Sequence, residues 1–403
     1  MNKYIKNSSF VSLSMYDVII SGAGPAGSKC AEIIAKSGYK VALIERDTNW
    51  RKPCGGTVSS RIFKYYPQLH KINYQRVYEI SMYSADYHNF NYNWKGKRDY
   101  AINVDRLEFD NFIRSIALDV GVELFDKNIS FDFITKDKHK IGIKTKTTTG
   151  VNEYFGKIII IADGMSSKLA NKSGLREKWK IDELYLVKCA IMEGSNLLDK
   201  ETISIYFRPY KGYGWIFPLS ESKFNIGAGL SKKDFQNCNV NRIFNEFINE
   251  PCIKKFFTNY NYKELWKAAY PVPCSGVKVN SLYDENIMII GDAAGFVSPI
   301  SGEGIHPSIV SGQIAAETAI NALNEENISK QTLKRYKLHP NIKKIIRNFK
   351  LKNSLVDFFF NNNGRNLSKM FELAEKNEEF REEVTKMFIF NQIPTNDFLL
   401  KLK

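Results

Sequence analysis

Gly22-Ala23-Gly24-Pro25-Ala26-Gly27 is the stretch on which the reading of this chain turns. Before it lies Tyr16–Ser21, a strand with Val18, Ile19 and Ile20 at its centre. After it, Pro25–Ser37 reads as a helix closed by Gly38, and Lys40–Ile44 reads as a second strand. Glu45 ends that strand, 18 residues past Gly27. A Gly-x-Gly-x-x-Gly pattern alone is weak. Between a strand and a helix, with an acid closing the next strand, it is a dinucleotide-binding fingerprint. Gly22 permits the tight turn, Gly24 lets the backbone approach a pyrophosphate, and Gly27 allows close helix–strand packing. The helix start around Ala26 offers free N–H groups to the anion. Glu45 can accept hydrogen bonds from ribose hydroxyls, and its charge disfavours a 2′-phosphate, hence NADP, at this site.

Working outward, the 403 residues are 43% apolar, 25% charged and 13% aromatic, an ordinary globular composition and too aromatic for a disordered chain. At roughly 100–200 residues per domain, two or three packed units are expected. No run approaches the ~18–20 apolar residues of a membrane span. Residues 1–14 lack an apolar core of the secretory kind and read as a disordered arm, with Met15 an alternative start. The six Cys are scattered without a Cys-x-x-Cys pair, which argues against zinc and against a disulfide framework and suits a reducing cytosol. No cluster has metal-ligand spacing, so no metal is expected.

The expected fold is α/β: a Rossmann-like FAD-binding domain with a β-meander, an antiparallel-sheet substrate domain, and a helical C-terminal region. The FAD-binding domain is discontinuous, over 15–75, 101–180 and 276–325. The substrate domain takes 76–100 and 181–275. Asp105–Val120 is a helix, 122–161 a strand and meander, 185–230 alternating strands, and Asn241–Asn249 a helix. FAD is preferred to NAD because the chain returns to the nucleotide fold far downstream. Ile161-Ala162-Asp163-Gly164 and Ile290-Gly291-Asp292 are two further strand-to-glycine turns, suited to a long cofactor lying across one domain.

The fingerprint with Glu45, the Asp163-Gly164 turn and the Gly291-Asp292 turn together resemble the aromatic-hydroxylase-type FAD superfamily. Val104-Asp105-Arg106 is similar to that superfamily's helix start, which implies that Arg106 lies near the FAD phosphates. Two stretches narrow the choice. Lys52-Pro53-Cys54-Gly55-Gly56 and Tyr213-Gly214-Trp215-Ile216-Phe217-Pro218 both look like the geranylgeranyl reductase family, whose substrate domain carries P-x-x-Y-x-W-x-F-P. One departure is that three residues, not two, separate Pro209 from Tyr213. The resemblance runs from about residue 15 to 325.

It implies a reductase that saturates prenyl double bonds of lipids with hydride from reduced FAD. An unactivated alkene offers no carbonyl to polarise, so the protein must supply shape, dryness and a proton. Tyr213, Trp215 and Phe217 alternate and therefore share one strand face, the expected substrate wall. Cys54 is the expected flavin-side relay, with Gly55 leaving the backbone close to the cofactor. Gly304 and Ile305 match the family's flavin-contact pair, at a helix start that can stabilise negative charge. His306 beside them reads as a structural hydrogen bonder. No second nucleotide fingerprint is present, so the donor is a transient NADPH or a ferredoxin. The alternative is a monooxygenase or halogenase of the same superfamily, although halogenases carry W-x-W-x-I-P where this chain has Tyr213, Trp215, Phe217 and Pro218. A third alternative is a flavin-bearing membrane-binding or scaffold protein without turnover.

The charge is uneven. Lys and Arg total 58 against 43 Asp and Glu, a net +15. Nine of the cations lie in Lys330–Lys352, which holds no acid, and Ile342, Ile345, Ile346 and Phe349 recur there at helical spacing. Residues 330–360 therefore read as a basic amphipathic helix for an anionic membrane surface, in a cytoplasmic protein held peripherally at its membrane. No nucleic-acid recognition motif accompanies the charge.

Overall fold

The computed structural model describes residues 15–86, 88–194, 199–208, 211–233, 239–258, 261–361 and 364–402. The expected N-terminal arm, 1–14, and Pro209 lie outside them. Met15–Ser21 is the centre of a parallel sheet. It pairs with Val41–Ile44 on one side and Val151–Ile161 on the other, with Val18 opposite both Val41 and Ile158. Glu123–Phe125 and Ile287–Ile289 continue the sheet outward in the same sense. Val18, Ile19, Ile20 and Ile158 to Ile161 are wholly buried. Strands covered on both faces need unbroken apolar runs, which is why these segments do not alternate. Ile129–Lys136 and His139–Lys146 form the meander leading into Val151–Ile161.

Helix Pro25–Lys36 lies against helix Ile305–Asn324. Gly312 makes this crossing close: a Cβ there would stand 2.2 Å from the Ala26 carbonyl oxygen.

The second sheet has seven strands. In spatial order they are Lys263–Pro273, Leu184–Glu193, Lys223–Ser231, Gly212–Pro218, Thr202–Phe207, Glu79–Tyr83 and Asn89–Asn93. The pairing of Thr202–Phe207 with Glu79–Tyr83 is parallel and the rest is antiparallel. Register sets Trp215 opposite Gly227 and Phe217 opposite Asn225. The absence of a side chain at Gly227 makes room for the Trp215 ring, which a Cβ there would approach to 2.2 Å. The C-terminal helices cover this sheet, with Trp94 edge-on to Phe390 and Phe90 against Phe371.

Val240–Ile248 realises the helix expected over Asn241–Asn249, and a further helix, Pro251–Thr258, follows it with proline at its first position. One expectation changes. The basic segment is two helices, Lys330–Leu338 and Pro340–Phe360, broken at His339. Its apolar stripe is turned inward. Ile342 and Phe349 are buried, and Ile345 and Ile346 pack on the nucleotide-domain core. Lys330 is paired with Asp284 and Arg335 with Glu325, while Lys352 is enclosed by the protein.

Candidate active site

Two cavities adjoin at the carboxyl ends of the parallel strands. The first is a groove lined by Gly22, Gly24, Ala26, Glu45 and Asp163. The second is an apolar chamber lined by Cys54, Gly55, Tyr213, Trp215, Phe217, Gly304 and Ile305. Pro25, Lys52, Arg106, Asp292 and Ser308 line both, so the cavities meet there. Gly27 and Gly291 line neither. Gly27 packs helix on strand, its Cβ position 1.8 Å from the Gly22 oxygen, and Gly291 turns the chain at φ +60° beside Ala26.

The groove has the chemistry of a dinucleotide site. Gly22 holds φ +104°, and a Cβ on it would meet the Ala162 oxygen at 2.3 Å, whereas nothing lies within 4 Å of a Cβ on Gly24. That open space is where a phosphate can approach the backbone. No side chain caps the start of helix Pro25–Lys36, which leaves that end to an anion. Glu45 is held by main-chain N–H donors, from Ala23 at 2.7 Å and Arg46 at 2.9 Å. Asp163 is half-buried, and its enclosed Oδ1 has no partner. Burial, with the Glu45 charge adding to it and Ser167 opposing, pushes its carboxyl up to about 7. An orphaned buried acceptor beside Gly22 fits a cofactor bearing hydroxyls, and the donor set fits FAD. FAD, when bound, supplies two-electron hydride chemistry.

At the junction, Arg106 makes a forked pair with Asp110, at 3.1 and 2.8 Å. Burial works against its charge, but Asp110 and the adjacent Cys54 sulfur outweigh it and raise its pKa further. Asp292 is ion-paired with Lys52. The Cys54 sulfur accepts the Gly56 N–H at 3.4 Å. Gly55 lies flat against the aromatic wall, its Cβ position 2.6 Å from the Phe217 ring.

The wall is a connected set. Tyr213 and Trp215 have ring centroids 5.9 Å apart, and Trp215 and Phe217 6.0 Å. Tyr213 donates to the Ser301 carbonyl at 2.5 Å, and burial, with the sulfurs of Cys274 and Cys54, pushes its hydroxyl above the ordinary range. Trp215 Nε1 donates to Asn225 Oδ1 at 2.8 Å, and Asn225 Nδ2 donates to the Cys54 carbonyl at 2.9 Å.

Sequence reasoning passed over Asn225. Its signal was a lone amide in the apolar run Phe224-Asn225-Ile226. It also assigned no role to Lys52. The end of the chamber away from the groove includes Phe207 and, from the C-terminal helices, Val356, Phe359, Phe360, Leu367 and Phe388. Phe358-Phe359-Phe360 was the only local hint of that wall. His306 lines neither cavity. Its ring stands edge-on to Tyr65, and burial, with Arg61 and Lys64, lowers its pKa to about 4. Among the described residues no group of three or more His, Cys, Asp or Glu could hold a metal ion, and no helix is long and apolar enough to cross a membrane.

The chain resembles known proteins over most of its length. The profile of the geranylgeranyl reductase catalytic domain matches residues 187–261, and that of pyridine nucleotide-disulphide oxidoreductases matches 16–193. Digeranylgeranylglycerophospholipid reductase 1 of Methanosphaera stadtmanae is 30% identical over 330 residues, 79% of each chain. Among solved structures, a geranylgeranyl bacteriochlorophyll reductase-like protein of Thermoplasma acidophilum matches with TM-score 0.81 at 22% identity, covering 96% of both chains. A myxobacterial chondrochloren halogenase matches with TM-score 0.72 at 17% identity, covering 96% of this chain and 99% of its own. These two likenesses speak for the fold shared by reductases and halogenases. The Methanosphaera relationship carries the enzyme class as well, and the chain belongs to the geranylgeranyl reductase family of FAD-dependent oxidoreductases acting on CH–CH groups.

Proposed function

We propose that this protein saturates the C=C bonds of geranylgeranyl chains on membrane ether lipids, using hydride from reduced flavin. The observation that carries this reading is the apolar chamber opening directly onto the cofactor groove. Its walls are aromatic and aliphatic, and the ionised groups among its lining, Lys52, Arg106 and Asp292, stand at the junction. An isolated alkene needs such a slot: it is held by shape, kept from water, and set beside the cofactor. Tyr213, Trp215 and Phe217 orient the chain, and Cys54, touching both Arg106 and the wall, is the flavin-side relay. NADPH or a reduced ferredoxin supplies the electrons. The test is anaerobic. Protein reduced with dithionite is mixed with a geranylgeranylated ether lipid, and mass spectrometry is expected to show gains of two hydrogens per turnover. An oxygen-dependent hydroxylated or halogenated aromatic product, with no saturation, would assign it to the other branch of the fold.

Peripheral contact with an anionic membrane is part of the proposal, and it now rests on charge alone. Lys343, Lys344, Arg347 and Lys350 are exposed on helix Pro340–Phe360, whose far end reaches the chamber at Val356, Phe359 and Phe360. Each cation near anionic headgroups contributes ~1 kcal/mol. Changing all four to Glu is expected to weaken co-sedimentation with anionic vesicles by on the order of a hundredfold or more. Undiminished binding by that variant removes the membrane from the proposal.

A further inference from the structure

A polar chain, buried at one end and half-buried along the rest, runs behind the loop that borders the cavity junction, and none of the chemistry above uses it. Lys352 is 0% exposed, on the inner face of helix Pro340–Phe360. A lysine is almost never enclosed without a partner. Its ammonium donates to Asn391 Oδ1, and Asn391 Nδ2 donates to Glu303 Oε2 at 3.1 Å. Glu303 Oε1 accepts the His306 N–H at 2.9 Å, in the first turn of helix Ile305–Asn324. Asn391 holds φ +54°, a left-handed conformation that Asn tolerates better than most residues, and its amide bridges its two partners. The residues before it, Phe388, Ile389 and Phe390, are buried and apolar.

The chain is tied to the chamber wall through the backbone. The Glu303 carbonyl accepts the Ser298 N–H at 2.9 Å, and the Ser298 carbonyl accepts the Gly302 N–H at 2.9 Å. Gly302 and Gly304, on either side of Glu303, line the chamber. A displacement of Glu303 therefore displaces both. The charged groups around it are few. Lys352 faces it from the C-terminal helices. The His306 ring turns to Tyr65, with Arg61 and Lys64 nearby. Across Gly304 stand Asp292, whose Oδ1 lies 3.2 Å from the Gly304 Cβ position, and its partner Lys52.

We propose that Glu303 is a positioning residue for the flavin-facing loop and the place where the protein takes up a proton when negative charge arrives on the bound flavin. Two electrons from the donor and one proton go to the flavin, leaving one negative charge. A second proton, from solvent, binds the Glu303 carboxylate and is released on reoxidation. Lys352, through Asn391, keeps that carboxylate poised. Burial raises Glu303 to about 7, with the His306 N–H, Lys352 and Asn391 opposing, and burial lowers Lys352 to about 7, with the Glu303 charge opposing, so the two titrate as a coupled pair. The inference rests on FAD binding and is indifferent to which alkene is reduced.

The test is a potentiometric titration of the bound flavin without substrate, between about pH 5.5 and 8.5, in the wild type, Glu303→Gln and Lys352→Met. The wild-type potential is expected to fall more steeply with pH just above neutrality than below it. Glu303→Gln is expected to lose that steeper segment. Lys352→Met is expected to move it to higher pH, because the carboxylate loses its cation. A steep segment surviving in Glu303→Gln, or staying in place in Lys352→Met, overturns the proposal. If the Gln variant does not retain FAD, the direction of the Lys352→Met shift decides. A merely structural role would weaken FAD binding in both variants and leave the wild-type slope uniform.

Discussion

Gly27→Val is expected to yield a protein that no longer retains FAD and unfolds at lower temperature even without it. A Cβ on Gly27 would lie 1.8 Å from the Gly22 oxygen and 3.3 Å from the Ala162 side chain. The first obstacle is main chain and cannot rotate away. Gly22 cannot yield either, since its own Cβ position is 2.3 Å from the Ala162 oxygen. Helix Pro25–Lys36 must lift off the strand, carrying its uncapped amides away from the groove. Overpacking a core costs about 1–3 kcal/mol when side chains can adjust, and a backbone collision belongs at or above the upper end. Gly24→Ala is the control. Nothing lies within 4 Å of that Cβ, so apo stability should stay within about 0.5 kcal/mol of wild type while FAD is still lost, because the methyl takes the space a phosphate would use. Flavin absorbance after gel filtration and thermal melts of the apo forms separate the two effects. Wild-type flavin content in Gly27→Val would refute the packing argument.

That pair of glycines shows why the nucleotide half of the protein was legible in the sequence. The constraints there are local: a strand end, a turn at positive φ, a helix start, each of which admits few residue types. The alternation of Tyr213, Trp215 and Phe217 was legible for the same reason, since strand geometry alone puts them on one face. What stayed hidden depends on residues far apart in the chain. The Lys52–Asp292 pair spans 240 positions, and the bond from Asn225 to Cys54 spans 171. Lys352 is the sharper case. In the sequence it is one more cation in a basic stripe, and only the packing of helix Pro340–Phe360 against the C-terminal region places it inside. The stripe Ile342, Ile345, Ile346 and Phe349 likewise declares an apolar helix face without saying what that face covers, which proved to be the protein's own core.

The second large effect is expected at Trp215. Its ring fills the space above Gly227 and stands 3.3 Å from the Gly55 Cβ position. Truncation to Ala removes a 4% exposed indole and leaves a void, at a cost of about 3–5 kcal/mol. It also strips the donor from Asn225 Oδ1, a buried acceptor whose loss adds about 1–3 kcal/mol. Asn225 is then free to turn, and the same side chain holds the Cys54 carbonyl. Trp215→Ala should therefore lower the melting temperature strongly and cut kcat/KM by on the order of a hundredfold or more, equivalent to about 2.7 kcal/mol of lost transition-state stabilisation. Trp215→Phe separates the causes. It keeps most of the ring volume but not the N–H, so it should recover most of the stability and little of the rate, because Asn225 still lacks the partner that orients it toward Cys54. Full recovery of rate by Phe would mean that the wall acts only through its shape, and that the Trp215–Asn225–Cys54 connection does not position the Cys54–Gly55 turn.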